Sequence, residues 1–128
     1  MVSSLDGSDE EKPILIVSTF PTAEDAERIC VEAVEKKYAA CANLLKVRSF
    51  FTWEEKLERA EEALALIKTS KTSYKDLMRF IKDQHPYSVP EILALDVSDV
   101  NKGYLDWVVA STRRGSPSPK KRQENQGS

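Results

Sequence analysis

Two prolines four residues apart, Pro86 and Pro90, constrain this chain more than any other feature, because neither a helix nor a central strand runs comfortably through them. Pro86 disfavours the α conformation at His85 and removes a backbone donor, so a helix arriving from upstream stops there. Pro90 permits only an edge strand or the start of a strand. The segment His85-Pro86-Tyr87-Ser88-Val89-Pro90-Glu91 therefore predicts a stiff helix-to-strand corner. It presents the only histidine of the chain, a phenol and a carboxylate within seven residues. Such corners often carry function, although a rigid turn with a surface histidine accounts for the same residues equally well.

On either side of the corner the hydrophobic period alternates. Ile14-Leu15-Ile16-Val17-Ser18-Thr19 predicts a buried strand, broken by Phe20-Pro21. Thr22 with Asp25 has the spacing of a capping box, and Ala26, Ile29, Cys30, Ala33 and Val34 then recur at helical spacing to an end near Tyr38. Ala40 to Trp53 reads as a longer strand. Residues 57–69 are ambiguous. Their Leu, Glu, Arg and Ala content favours helix on propensity, while Leu64-Ala65-Leu66-Ile67-Lys68-Thr69 also fits a strand leaving a hairpin at Glu54–Lys56. Ser73 with Asp76 suggests a second capping box, followed by a face of Tyr74, Leu77, Met78 and Ile81. Residues 91–97 predict a strand, and Asn101 caps a last helix with Tyr104, Leu105, Trp107 and Val108. With 57–69 as a strand, the order is β-α-β-β-α-β plus a helix, the α+β ferredoxin-like or split-βαβ arrangement.

Composition narrows the chemistry. At 128 residues the chain has room for one domain, and no run approaches the ~20 apolar residues of a membrane span. The acidic segment 1–12 lacks the apolar stretch of a secretory signal, and 113–128 is basic; both predict disordered tails around a body at 13–112. The basic run suits a localisation signal or two Ser-Pro phosphosites, and a solvated tail explains it more simply. The body is mildly acidic, which argues against nucleic acid as a partner. It holds one glycine, Gly103, so phosphate loops, dinucleotide fingerprints and nucleophile elbows are excluded. One histidine per chain cannot build a multi-histidine metal site unless an oligomer multiplies it. Cys30 and Cys41 form no zinc-ligand spacing; reduced buried thiols in a cytoplasmic protein are the expectation, with a disulfide left open.

Five ordered blocks carry a resemblance: Lys37-Tyr38-Ala39-Ala40-Cys41-Ala42-Asn43-Leu44, then Phe51-Thr52-Trp53 with Lys56-Leu57-Glu58, Ile67-Lys68-Thr69, His85-Pro86-Tyr87 with Val89-Pro90-Glu91, and Tyr104-Leu105-Asp106-Trp107. In this order and spacing, over about residues 13–112, they resemble the divalent-cation tolerance (CutA) family. The resemblance implies a ferredoxin-like subunit, a homotrimer formed by strand pairing between subunits, and residues 57–69 as a strand hairpinned to 41–53. The chain departs from the family pattern at Glu55, where glycine is usual after Trp-x, at Ala60, where an acid is common, and at Ser18, where some members carry cysteine.

By the same resemblance the protein would be a non-enzymatic trimer binding copper or another divalent metal, with no organic cofactor. His85 would be the principal ligand, Glu62 and Glu91 auxiliaries, and Cys41 a weaker candidate. Thr19, Trp53, Glu58, Lys68 and Tyr87 would line a polar cleft between subunits. Glu58, Glu62 and Lys68 share strand parity and so one face, where an ion-pair network between subunits is the plainer explanation. The alternative function is a PII-like regulatory trimer that binds a small metabolite through Lys68 and the corner, and signals to a protein partner. A rigid scaffold whose tails carry specificity is a third.

Overall fold

A computed structural model describes residues 12–115 together with Pro117, Pro119 and Lys120. The elements run β1 (Pro13–Phe20), α1 (Ala23–Glu35), β2 (Cys41–Trp53), β3 (Lys56–Ser70), α2 (Tyr74–Gln84), β4 (Ile92–Asp96) and α3 (Lys102–Ser111). The strands form one antiparallel sheet in the order β2-β3-β1-β4. This is the α+β, βαββαβ arrangement with an added C-terminal helix. The acidic segment up to residue 11 and the stretch from 121 onward lie outside the described residues.

Residues 57–69 correct the propensity reading: they are strand throughout. From Ala63 to Thr69 every second side chain is buried, and β3 is paired on one edge by β1 and on the other by β2. Helix preference among these residues amounts to tenths of a kcal/mol each, whereas burying Ile67 alone contributes ~1.5–3 kcal/mol. Tertiary pairing therefore wins.

The connections show local chemistry at work. Thr22 accepts the Asp25 amide at 3.0 Å and caps α1 as its spacing predicts. α1 stops at Glu35, three residues before Tyr38, because Lys37 adopts φ 65°. The Tyr38 amide then donates to Ala33 and the Lys37 amide to Val34, which closes the helix in a Schellman motif. Ser73 departs from its expected role: its hydroxyl makes no cap bond to α2 and instead donates to the Thr112 carbonyl at 3.2 Å. Asn101 accepts from the Gly103 and Tyr104 amides, as a cap should.

The hairpin turn is two residues long, with Glu54 at φ 50° and Glu55 at φ 68°. Left-handed backbone costs ordinary residues ~1–2 kcal/mol each, and Asn-Gly is the pair such turns favour. The double variant Glu54→Asn/Glu55→Gly is therefore expected to raise unfolding stability by ~1 kcal/mol, read as a higher urea midpoint at fixed protein concentration.

α1 and α2 cover one face of the sheet. Their Ala26, Ile29, Ala33, Leu77 and Ile81 meet Ile14, Ile16, Phe20, Ala65 and Ile67 in a single core cluster. The opposite face carries Leu15, Val17, Leu45, Leu64, Leu66, Leu93 and Leu95, as the register requires. α3 covers only one end of it. There the Thr112 hydroxyl donates to Ser70 Oγ at 2.9 Å and Val108 is fully buried. Elsewhere on this face apolar side chains stay uncovered in the single chain: Leu45 is 45% exposed, Leu93 51% and Leu95 44%.

Candidate functional site

His85 sits where α2 ends, with φ −72° and ψ 136°, the extended conformation that a following proline imposes. Its ring stacks on Phe20 of β1, centroids 4.5 Å apart and 15° from parallel. Both ring nitrogens are engaged by backbone. Nδ1 accepts the Tyr87 amide at 3.1 Å, so Nε2 carries the proton and donates to the Thr19 carbonyl at 2.8 Å. Burial holds the imidazole below its ordinary pKa, against the opposing pull of the Thr19 carbonyl, Asp25 and Glu62.

Tyr87 extends the chain of bonds outward. Its hydroxyl donates to Glu62 Oε2 at 2.6 Å, and its ring lies 5.3 Å from that of His85. Burial first, and then the Glu62 carboxylate, push the phenol up to about 12, so it stays a donor at any ordinary pH. Glu62 in turn borders a cleft of ≈ 500 Å³ between the start of α1 and the β2–β3 hairpin, which Lys46, Arg48 and Glu61 also line. The corner is tied to the sheet a second time by Ser18, fully buried, whose hydroxyl donates to the Glu91 carbonyl at 2.7 Å. Ser18, one of the chain's departures from the pattern expected by resemblance, is thus a structural donor.

The nine residues singled out from sequence separate into three places. His85, Thr19, Tyr87 and Glu62 form one connected group, with Thr19 joining through its carbonyl. Glu91 adjoins it by its carbonyl and is itself exposed. Cys41 and Lys68 lie opposite each other on β2 and β3, six residues along β3 from Glu62, about 20 Å away at ~3.3 Å per residue. There the Cys41 thiol meets the Tyr104 hydroxyl at 3.4 Å, and Lys68 donates to the Asn43 side-chain oxygen. Trp53 and Glu58 belong to the far end of the hairpin, where Trp53 is 63% exposed. The shared parity of Glu58, Glu62 and Lys68 holds, but the strand spreads them along its length.

This geometry bears on metal binding. The one lone pair His85 offers is taken by the Tyr87 amide, so ligation would have to displace that bond. Cys41 is half-buried rather than deeply buried and is remote from Glu62. Cys30 lies in the helix-side core, on the other side of the sheet from the Cys41 thiol, and both are free thiols. Burial pushes the Cys30 thiol up to about 11, which makes it a poor ligand. Among the described residues no three His, Cys, Asp or Glu side chains converge to hold an ion. One chain alone therefore does not assemble the four-residue ligand set expected of it. Lys46, Arg48 and Glu61, which line the cleft, escaped the sequence reading. Their only signal was charge alternating along two strands, which any solvated strand shares.

Comparison with known proteins gives a uniform picture. Residues 14–111 match the family model described as CutA1 divalent ion tolerance protein. The chain is 40% identical over 101 residues to the divalent-cation tolerance protein CutA of Pyrococcus horikoshii, covering 79% of this chain and 99% of the relative. It is likewise 40% identical over 101 residues to that of Pectobacterium atrosepticum, covering 78% and 92%. Among solved structures, CutA1 from Oryza sativa superposes with a TM-score of 0.77 at 34% identity, over 80% of this chain and 94% of that one. With its strand order, its proline-bounded corner and nearly the whole body matched, the chain belongs to the CutA1 divalent ion tolerance family.

Proposed function

We propose that the protein serves divalent-cation tolerance as a homotrimer that binds the cation and catalyses no reaction, with copper as the first metal to test. The observation that carries this reading is the Glu62 carboxylate, held in place by the Tyr87 hydroxyl at the rim of the cleft. One carboxylate oxygen is engaged by the phenol, and the remaining lone pairs are available to a cation. A single carboxylate makes a weak site, so the other donors come from a second subunit or from water. The uncovered apolar face, with Leu45, Leu93 and Leu95 exposed, supports association of subunits.

Calorimetric titration of Cu(II) and Zn(II), with the mass measured in the same buffer, tests this. The expected mass is three times the 14.4 kDa of one chain. Glu62→Gln is expected to weaken cation binding at least ~10-fold, the loss that follows removal of a charged ligand. His85→Ala separates direct ligation from support. A loss larger than that of Glu62→Gln would mean that the imidazole gives up Tyr87 and binds the metal itself. Equal binding by all three proteins would remove the cleft from the account.

A further inference from the structure

The outer face of α1 carries Glu24, Glu27, Val31 and Glu35 at helical spacing along a shallow groove of ≈ 670 Å³. Two of the helix's other acids are already satisfied. Arg28 pairs with Asp25 at 3.3 Å and Lys36 with Glu32 at 2.8 Å. Among the described residues Glu24, Glu27 and Glu35 make no ion pair, while Val31 between them is 48% exposed. Arg28 and Lys36 line the same groove but are each paired with a neighbouring acid, so Glu24, Glu27 and Glu35 leave it with an acidic excess around an apolar centre.

The C-terminal segment comes to the end of this stripe. After α3 the chain is held by Arg114, which pairs with Asp76 at 2.6 Å and lies over the Tyr38 ring at 5.0 Å. The sequence placed Arg114 in the polar tail, yet it is fixed to the body. Gly115, at φ 88°, supplies the left-handed residue that redirects the chain. Pro119 is then half-buried in a groove bounded by Val34, Glu35 and Trp107, at the C-terminal end of α1. The next three residues are Lys120, Lys121 and Arg122.

We propose that the segment beginning at Lys120 docks along the Glu27–Glu35 stripe of its own α1, with Pro119 as the anchor. The lengths fit. Glu27 and Glu35 are eight residues apart, about 12 Å along a helix, and three extended residues beyond Pro119 reach about 10 Å. Charge complementarity sets the register, since Lys121 and Arg122 would then face Glu27 and Glu35, which make no ion pair among the described residues. Being exposed, the contact is a reversible latch that salt loosens.

The test uses amide resonances of the full chain and of a chain ending at Pro119. At low salt, truncation is expected to shift the amides of residues 27–35 and to leave α2 unmoved. Sodium chloride at about 0.5 M should reproduce that shift in the full chain, because screening then acts within a few ångströms. In the Glu27→Lys/Glu35→Lys protein, truncation should no longer move α1. Adding Lys121→Glu/Arg122→Glu to that protein should restore the sensitivity, a rescue that simple destabilisation of α1 cannot produce. Resonances of α1 indifferent to truncation, or a truncation shift that survives charge reversal without needing the swap, would overturn the docking. A mass that rises on lowering the salt would show the segment reaching another copy, and would overturn its placement on its own helix.

Discussion

Replacing His85 by alanine is expected to destabilise the fold by about 2–3 kcal/mol, measured by urea unfolding at fixed protein concentration. Three losses contribute. The Thr19 carbonyl and the Tyr87 amide both lose their partner, and the ring stacked on Phe20 disappears. Each hydrogen bond contributes about 1 kcal/mol, and a stacked aromatic pair adds ~0.5–1.5 kcal/mol. Partial solvent access at the corner keeps the sum below that of a fully buried site. The same residue makes stability depend on pH. Its Nδ1 accepts a hydrogen bond, so protonation both charges a half-buried ring and places a proton against the Tyr87 N–H. The folded pKa is accordingly lowered, and the unfolded chain binds the proton first. The contribution is complete above the unfolded value of about 6.5 and declines as the pH falls through it toward the lower folded value. His85→Gln keeps a donor and an acceptor without titrating, so this part of its acid profile should be flat. An unchanged slope in that variant would show that other groups carry the dependence.

The uncovered sheet face carries the second large effect. Leu45→Glu together with Leu93→Glu is expected to leave the subunit folded and to break the proposed trimer. Both side chains are about half exposed in the single chain and lie on the face opposite α1 and α2. Within the subunit each substitution therefore costs little. At a dry interface between subunits each carboxylate would be buried unpaired, a penalty of several kcal/mol per copy. Dissociation constants should rise at least ~1000-fold, the equivalent of about 4 kcal/mol. Sedimentation should then show single-chain mass with an unchanged far-ultraviolet spectrum. A variant that keeps the wild-type mass would place the association surface elsewhere, with the hairpin residues Phe50 and Leu57, on the other face of the sheet, as the next to test.

Much of the architecture was legible because its signals are local. Thr22 and Asn101 cap the helices that follow them, and Pro86 ends α2 at His85, through atoms only a few residues apart. The strand at 13–20 shows itself as a β-branched run. Residues 57–69 were not legible in this way, since Glu, Ala and Leu side chains favour a helix until two flanking strands supply ladders on both edges. Ser73 misled for a related reason: its hydroxyl had a distant carbonyl available, at Thr112, which sequence spacing cannot reveal.

The candidate site divides along the same line. By itself the sequence determined that a histidine, a phenol and a carboxylate stand at a rigid corner, because proline geometry is intrinsic to the chain. Strand parity puts Glu58, Glu62 and Lys68 on one face only once residues 57–69 are a strand, and that was decided by the ladders to β1 and β2 rather than by their own propensity. Only the tertiary structure decided that both nitrogens of His85 are spent on backbone groups, that Tyr87 reaches across to Glu62, and that Cys41 and Lys68 belong to the opposite end of the sheet. Those outcomes depend on which carbonyl, carboxylate or strand lies within about 3 Å after folding, and contacts across dozens of residues leave no period in the sequence.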